Sequence, residues 1–167
     1  MTPLPQGSME HRALGGGRVH PTDEPGLVAV GVGRSTLHRF PYFPDERGSL
    51  TVAAAPVHFP FIAVRMFQVY GVPAGELRGD HAHQRCHQLL IVNGGSVNVT
   101  VDDGQNRAEV VLNHPTLALH IPPMVWGIQH QFSTGAVLVV LASEHYDRAE
   151  YVDDYDEYLR LQKAGNP

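Results

Sequence analysis

From Leu27 onward the chain is a succession of short runs rich in β-branched and aromatic residues, broken at intervals by turn signals. That alternation limits the fold more than any other feature. The runs are "RMFQVYGV" (65–72), "HQLLIVN" (87–93), "SVNVTV" (96–101), "LALHI" (117–121) and "AVLVVLAS" (136–143). Between them stand "NGG" (93–95), "DDG" (102–104), "NHP" (113–115), "PP" (122–123) and "STG" (133–135). β-Branched and aromatic side chains suit a pleated, half-buried surface, and Gly, Pro, Asn and Asp supply the turns. Short strands at this spacing predict an all-β sandwich or barrel. The pattern breaks only in "DDYDEYLRLQKAG" (153–165). This tail reads either as a short final helix, with Tyr158, Leu159 and Leu161 on part of its surface, or as a loosely docked end.

A length of 167 residues suits one domain, and 43% hydrophobic residues can fill its core. Residues 1–25 are rich in Gly, Pro and His without periodicity and read as a disordered leader. Residues 26–160 form the expected domain and 161–167 a tail. No run of about 18 apolar residues exists, so no helical membrane span is expected. The N-terminus lacks the basic-then-apolar order of a signal peptide. A single cysteine, Cys86, excludes an internal disulfide and fits a reducing, cytoplasmic setting. The net charge of -5 argues against general nucleic-acid binding. It leaves room for one small anionic ligand held by a few local arginines.

"RGDHAHQRCHQLLIVNGG" (78–95) carries three of the eleven histidines. In a strand, alternate side chains share a face, so His81 and His83 point the same way, their Cβ atoms about 7 Å apart. Gly79, by the same parity, leaves room beside them. Two imidazoles projecting into a cavity can bind a metal or move protons near neutral pH; on an outer face they are polar surface.

The spacing narrows the choice. Gly75, five residues, His81-x-His83, four residues, Gln88, six residues and Gly95 resembles the first motif of the cupins, small double-sheet β-barrels. That motif usually has a metal-binding Glu where Gln88 stands. The second motif usually adds a histidine, but "HIPPMVWGIQH" (120–130) has Trp126 and Gly127 at that place, with His120 and His130 off register. With two of four usual ligands missing, no metal and no other cofactor is expected.

More stretches follow in order: "RGSL" (47–50), "FPFIAVRMFQVYGVP" (59–73), "RGDHAH" (78–83), "VTVDDG" (99–104), "IPPMVW" (121–126), "VLVVLASEHYD" (138–147) and "YVDDYDEY" (151–158). Over residues 37–158 the chain resembles the nucleotide-sugar 3,4-ketoisomerases, metal-free cupins acting on dTDP-4-keto-6-deoxyglucose. The resemblance implies a jelly-roll barrel, or double-stranded β-helix, with a short C-terminal helix. It implies transfer of the keto group from C4 to C3 through an enediolate, in deoxyaminosugar biosynthesis. His81 is then the candidate base, and His83 orients it or handles the oxygen protons. Arg47, Arg65 and Arg78 stand at family-matching positions, and guanidinium groups grip phosphates bidentately. Parity puts Arg65, Phe67 and Val69 on one face and Met66, Gln68 and Tyr70 on the other, and sets Arg78 opposite His81. Arg47 and Arg65 are therefore the favoured ligand contacts. Trp126 and Tyr146 are expected to wall the pocket, and Gln88 to bond His83 or a sugar hydroxyl. Cys86 and His87 are given no role. The resemblance further implies a homodimer that buries a sheet face or exchanges an N-terminal strand, with residues 27–40 as the candidate segment.

The chain departs from the family at three places: Ala54 in place of Glu, Phe67-Gln68 in place of Tyr-Tyr, and Gly127 in place of His. They keep alternatives open: a sugar-nucleotide-binding cupin without turnover or with altered specificity, and a 3,5-epimerase-type enzyme. A metal-dependent cupin using His81, His83 and His120 or His130 is the remaining reading.

Overall fold

The computed structural model describes residues 17–19 and 25–165. Strands are numbered along the chain. One six-stranded sheet runs β1 (Gly17–Val19), β10 (Arg107–Leu112), β9 (Val97–Asp102), β12 (Trp126–His130), β7 (Arg78–His83), β14 (Tyr151–Val152). The other runs β2 (Gly26–Ala29), β3 (Thr36–Arg39), β11 (Leu117–Ile121), β8 (Gln88–Gly94), β13 (Val137–Ala142), β6 (Arg65–Tyr70). A separate hairpin, β4 (Tyr42–Asp45) and β5 (Gly48–Thr51), stands apart from both sheets, and helix α1 (Tyr155–Gly165) ends the described chain. The two sheets make the cupin jelly roll.

Side-chain parity builds the core. Val97, Val99 and Val101 of β9 meet Leu90 and Val92 of β8, Leu119 and Ile121 of β11, and Leu138 and Val140 of β13. Each such side chain, fully buried, contributes about 1.5–3 kcal/mol. Two smaller layers lie outside. Phe59 and Phe61 cover Leu89 and Ala118 on the second sheet. Helix α1 sets fully buried Tyr158 against Trp126, Ala82 and Val152 on the first. The Tyr158 hydroxyl lies 2.7 Å from the Asp102 carbonyl and 3.2 Å from that of Met124.

Four of the five strand runs coincide with β6, β8, β9 and β13 to within two residues at either end, and the fifth, 117–121, is β11. The helical reading of the tail is the correct one of the two. Helix α1 continues through Gly165, so 161–165 are not a separate tail; residues 166 and 167 lie outside the described residues. Most of the leader, 1–16 and 20–24, also lies outside them, but Gly17–Val19 pairs in parallel with β10. Within 27–40, β2 pairs antiparallel with β3 of the same chain. No described helix is long and apolar enough to cross a membrane.

Candidate active site

The histidine strand is not regular. Gly79 and Asp80 both have positive φ, 74° and 60°. Against β12, His81 pairs with Gly127 but Gly79 pairs with Ile128, so Asp80 is the extra residue of a β-bulge. A Cβ on Gly79 would meet the Gly127 carbonyl oxygen at 2.7 Å and Gln129 Nε2 at 2.6 Å. Gly79 therefore permits close approach of β12; it does not open space beside the histidines, as parity alone suggests. The Trp126 indole Nε1–H donates to Asp80 Oδ1 (3.1 Å) and pins the bulge. Trp126 is thus no pocket wall. It is buried on the helix side of the sheet, between Tyr155 and Tyr158.

Past the bulge, His81 and His83 do share a face. Their Nε2 atoms are 3.2 Å apart. His81 Nδ1 lies 2.9 Å from the Gly79 carbonyl, which can only accept, so Nδ1 carries the proton and Nε2 keeps its lone pair. The Gln88 amide Nε2 is 3.0 Å from His83 Nε2 and donates to it, which leaves the His83 proton on Nδ1, a buried atom with no partner. The His81 Nε2 lone pair then lies 3.2 Å from a nitrogen whose own lone pair already accepts from Gln88. Burial is the main reason that both pKa values fall below the usual imidazole value. For His83, desolvation, then the charges of His81 and Arg65, bring it to about 4. For His81, the Gly79 bond partly opposes the drop. Both are neutral near pH 7, and a neutral, partly desolvated imidazole is a competent general base.

The remaining walls come from both sheets. Ile121, Pro122, Val125, Gly127 and Gln129 close the cavity around the pair and Gln88. Tyr151 on β14 stands in register with His83, its ring 4.4 Å from that of His83 and 4.8 Å from that of His81. Tyr146 lies 5.8 Å beyond Tyr151, and the Arg65 guanidinium 5.9 Å from the Tyr146 ring. Arg65 also covers Phe67 at 5.2 Å and donates from Nε to the Glu144 carbonyl. This chain of contacts links edge strands β6 and β14 beside the histidine pair.

Of the residues singled out in the sequence, His81 and Gln88 each contact His83, and Arg65 and Tyr146 join the pair through Tyr151. Arg65, Phe67 and Val69 share the inward face as parity predicts. Arg78 is exposed and pairs with Gln129 along the backbone. Arg47 lies at the exposed tip of the β4–β5 hairpin, its guanidinium 2.6 Å from Asp45, and does not line the histidine cavity. His120 and His130 do not complete a ligand set with the pair: His120 bonds His87 and Thr36, and His130 bonds Thr100. Among the described residues no group of three or more His, Cys, Asp or Glu is placed to hold a metal ion. Sequence reasoning missed Tyr151 and Gln129. Tyr151 opens the "YVDDYDEY" stretch, but only strand pairing shows that it faces the histidines.

The family model described as FdtA: WxcM-like, C-terminal, matches residues 33–163. The TDP-4-oxo-6-deoxy-alpha-D-glucose-3,4-oxoisomerase of Aneurinibacillus thermoaerophilus is 35% identical over 127 residues, covering 72% of this chain and 91% of that protein. Among solved structures, QdtA, a sugar 3,4-ketoisomerase from Thermoanaerobacterium thermosaccharolyticum in complex with TDP, superposes with a TM-score of 0.76 at 34% identity, over 80% of this chain and 97% of that one. A 3,4-ketoisomerase from Helicobacter canadensis gives 0.74 at 36%, over 77% and 97%. With the family model spanning most of its length, the chain belongs to the WxcM-like family of nucleotide-sugar 3,4-ketoisomerases.

Proposed function

We propose that the protein converts dTDP-4-keto-6-deoxyglucose to its 3-keto isomer by histidine acid/base chemistry. The observation that carries this reading is the His81–His83 pair, two neutral imidazoles with Nε2 atoms 3.2 Å apart, joined through Tyr151 and Tyr146 to Arg65. His81 Nε2 takes the C3 proton, and the C–H electrons move through C3–C4 onto the C4 oxygen. The enediolate gains a proton at O4 and loses one at O3. Protonated His81 then returns its proton to C4, and O3 becomes the carbonyl oxygen. Gly79 and Gln88 fix the two rings, so little reorganisation is needed at the moment of transfer. His83, beside His81, helps move the oxygen protons. Arg65 meets the pyrophosphate, with Tyr146 beside it. Ala54 and Phe67 stand outside the histidine cavity, and Gly127, on its wall and in register with His81, leaves both imidazoles in place, which favours turnover over binding alone.

The exposed apolar residues Phe43 and Leu50 of the hairpin, Ile62 and Val64 of the following segment, and Met66 and Tyr70 of β6 support a homodimer. In it, Arg47 reaches a substrate of the neighbouring copy rather than its own. Sedimentation equilibrium at micromolar concentration is expected to give twice the 18.3 kDa chain mass; a monomer contradicts the dimer and the role of Arg47.

The activity is tested by proton NMR of dTDP-4-keto-6-deoxyglucose with the protein in deuterated buffer. A 3-keto sugar is expected. Deuterium at C5 with no 3-keto product indicates an epimerase, and saturable binding without turnover indicates a binding module.

A further inference from the structure

Four histidines outside this chemistry line a second cavity of about 780 Å³, within the range of pockets for small organic ligands. It lies on the outer face of the second sheet. On β11, Leu119 and Ile121 enter the barrel core, while His120, of opposite parity, packs against Phe61 of the outer layer. On β3, Leu37 points inward and Thr36 and His38 outward. His87 stacks on His120, rings 5.2 Å apart and 10° from parallel. The segment carrying Val57, His58 and Phe59 forms the opposite wall, and exposed Arg34 stands at the rim.

The polar groups form one chain. His38 Nε2 is 2.7 Å from Thr36 Oγ1, Thr36 Oγ1 is 3.4 Å from His120 Nδ1, and His120 Nε2 is 2.9 Å from His87 Nδ1. His38 also bonds the His58 backbone in a way that favours its protonated form, hence as donor to the carbonyl. That sets the direction of the whole chain for neutral rings. His38 Nε2 accepts from the Thr36 hydroxyl, Thr36 accepts from His120 Nδ1–H, and His120 Nε2 accepts from His87 Nδ1–H. The chain ends on His87 Nε2, a lone pair without a donor. The charged groups acting on this ring are Arg34, which disfavours its protonation, and Glu144, which favours it. Arg39, bonded to Thr116, His38, His58 and His120 also line the cavity, and no Asp or Glu does so among the described residues.

The walls thus call for an apolar body, Arg34 for negative oxygens, and His87 Nε2 for an O–H donor. A carboxylate near neutral pH offers acceptors only. A phosphate monoester, with its second pKa near 6, offers both in its monoanion. We propose that this cavity binds a small phosphate monoester with an apolar or aromatic body, its charged oxygens on Arg34 and its hydroxyl on His87. The proposal does not depend on the isomerase reading, because it uses the opposite face of the sheet.

The test is titration of the full chain with phenyl phosphate at pH 6.5, followed through the histidine ring signals by NMR. Saturable shifts of the His87 and His120 signals are expected, with a Kd below about 1 mM, while the His81 and His83 signals stay in place. Arg34→Gln and His87→Phe are each expected to weaken binding about tenfold, the loss of one charge-assisted or one neutral bond in a partly closed site. Benzoate and inorganic phosphate should each bind at least about tenfold more weakly, since each lacks one half of the match. Arg34 is exposed, so Arg34→Gln reads the site without disturbing the fold. Absence of saturable shifts, shifts centred on His81 and His83, benzoate binding as tightly as phenyl phosphate, or unchanged affinity in Arg34→Gln overturns the proposal.

Discussion

His81 and His83 are effective because their environment keeps them neutral and aligned. A base must be unprotonated to act, and burial lowers both pKa values. The acid limb of kcat/KM is therefore expected below the free-imidazole value of about 6.5; a limb above that value contradicts the assignment. Gly79 permits a close crossing at positive φ, so Gly79→Ala combines backbone strain with overpacking. A cost of about 2–4 kcal/mol is expected in thermal or urea unfolding. Gly127→Ala has an ordinary φ and meets nothing closer than Ile121 Cδ1 at 3.3 Å, and is expected to cost under about 1 kcal/mol. The pairing of the two histidines was legible from alternation alone, because both lie beyond the bulge. The function of Gly79, the burial of Trp126 and the approach of Tyr151 were not, because each depends on a neighbouring strand that local sequence does not specify.

At the scale of elements, the site rests on the β7–β12 crossing and on helix α1 behind it. Trp126→Phe keeps the buried ring but removes the bond to Asp80. A stability loss of about 1–3 kcal/mol is expected, with kcat falling more than KM rises, because the bulge it pins precedes the base. An equal loss in both, or none, contradicts that positioning role. Strands with continuous apolar runs, such as β8 and β13, were plain in the sequence since the barrel core requires them. β10, with alternate residues half-buried, and the exposed β4–β5 hairpin were not, since neither carries a run that a core must absorb.

At the scale of the molecule, His38, His81, His83, His87 and His120 all have depressed pKa values, chiefly through burial. The unfolded chain then binds more protons than the folded one as pH falls below about 6.5, so stability declines from there towards about 4, where His83 and His120 titrate in the fold. Each such group adds up to about 1.4 kcal/mol per pH unit. Urea midpoints should therefore fall steadily between pH 6.5 and 4; a flat profile contradicts the buried neutral state. The barrel and the site were readable as a resemblance because the motifs are local, whereas the hairpin's placement of Arg47 away from the histidine cavity is a property of the assembled chain. The central claim is that His81 removes the C3 proton, and its most direct measurement is the rate of C3–H loss from dTDP-4-keto-6-deoxyglucose in deuterated buffer by wild type and His81→Asn. A fall of about 10²–10⁴-fold with substrate binding retained is predicted; exchange within about threefold of wild type would place the base elsewhere.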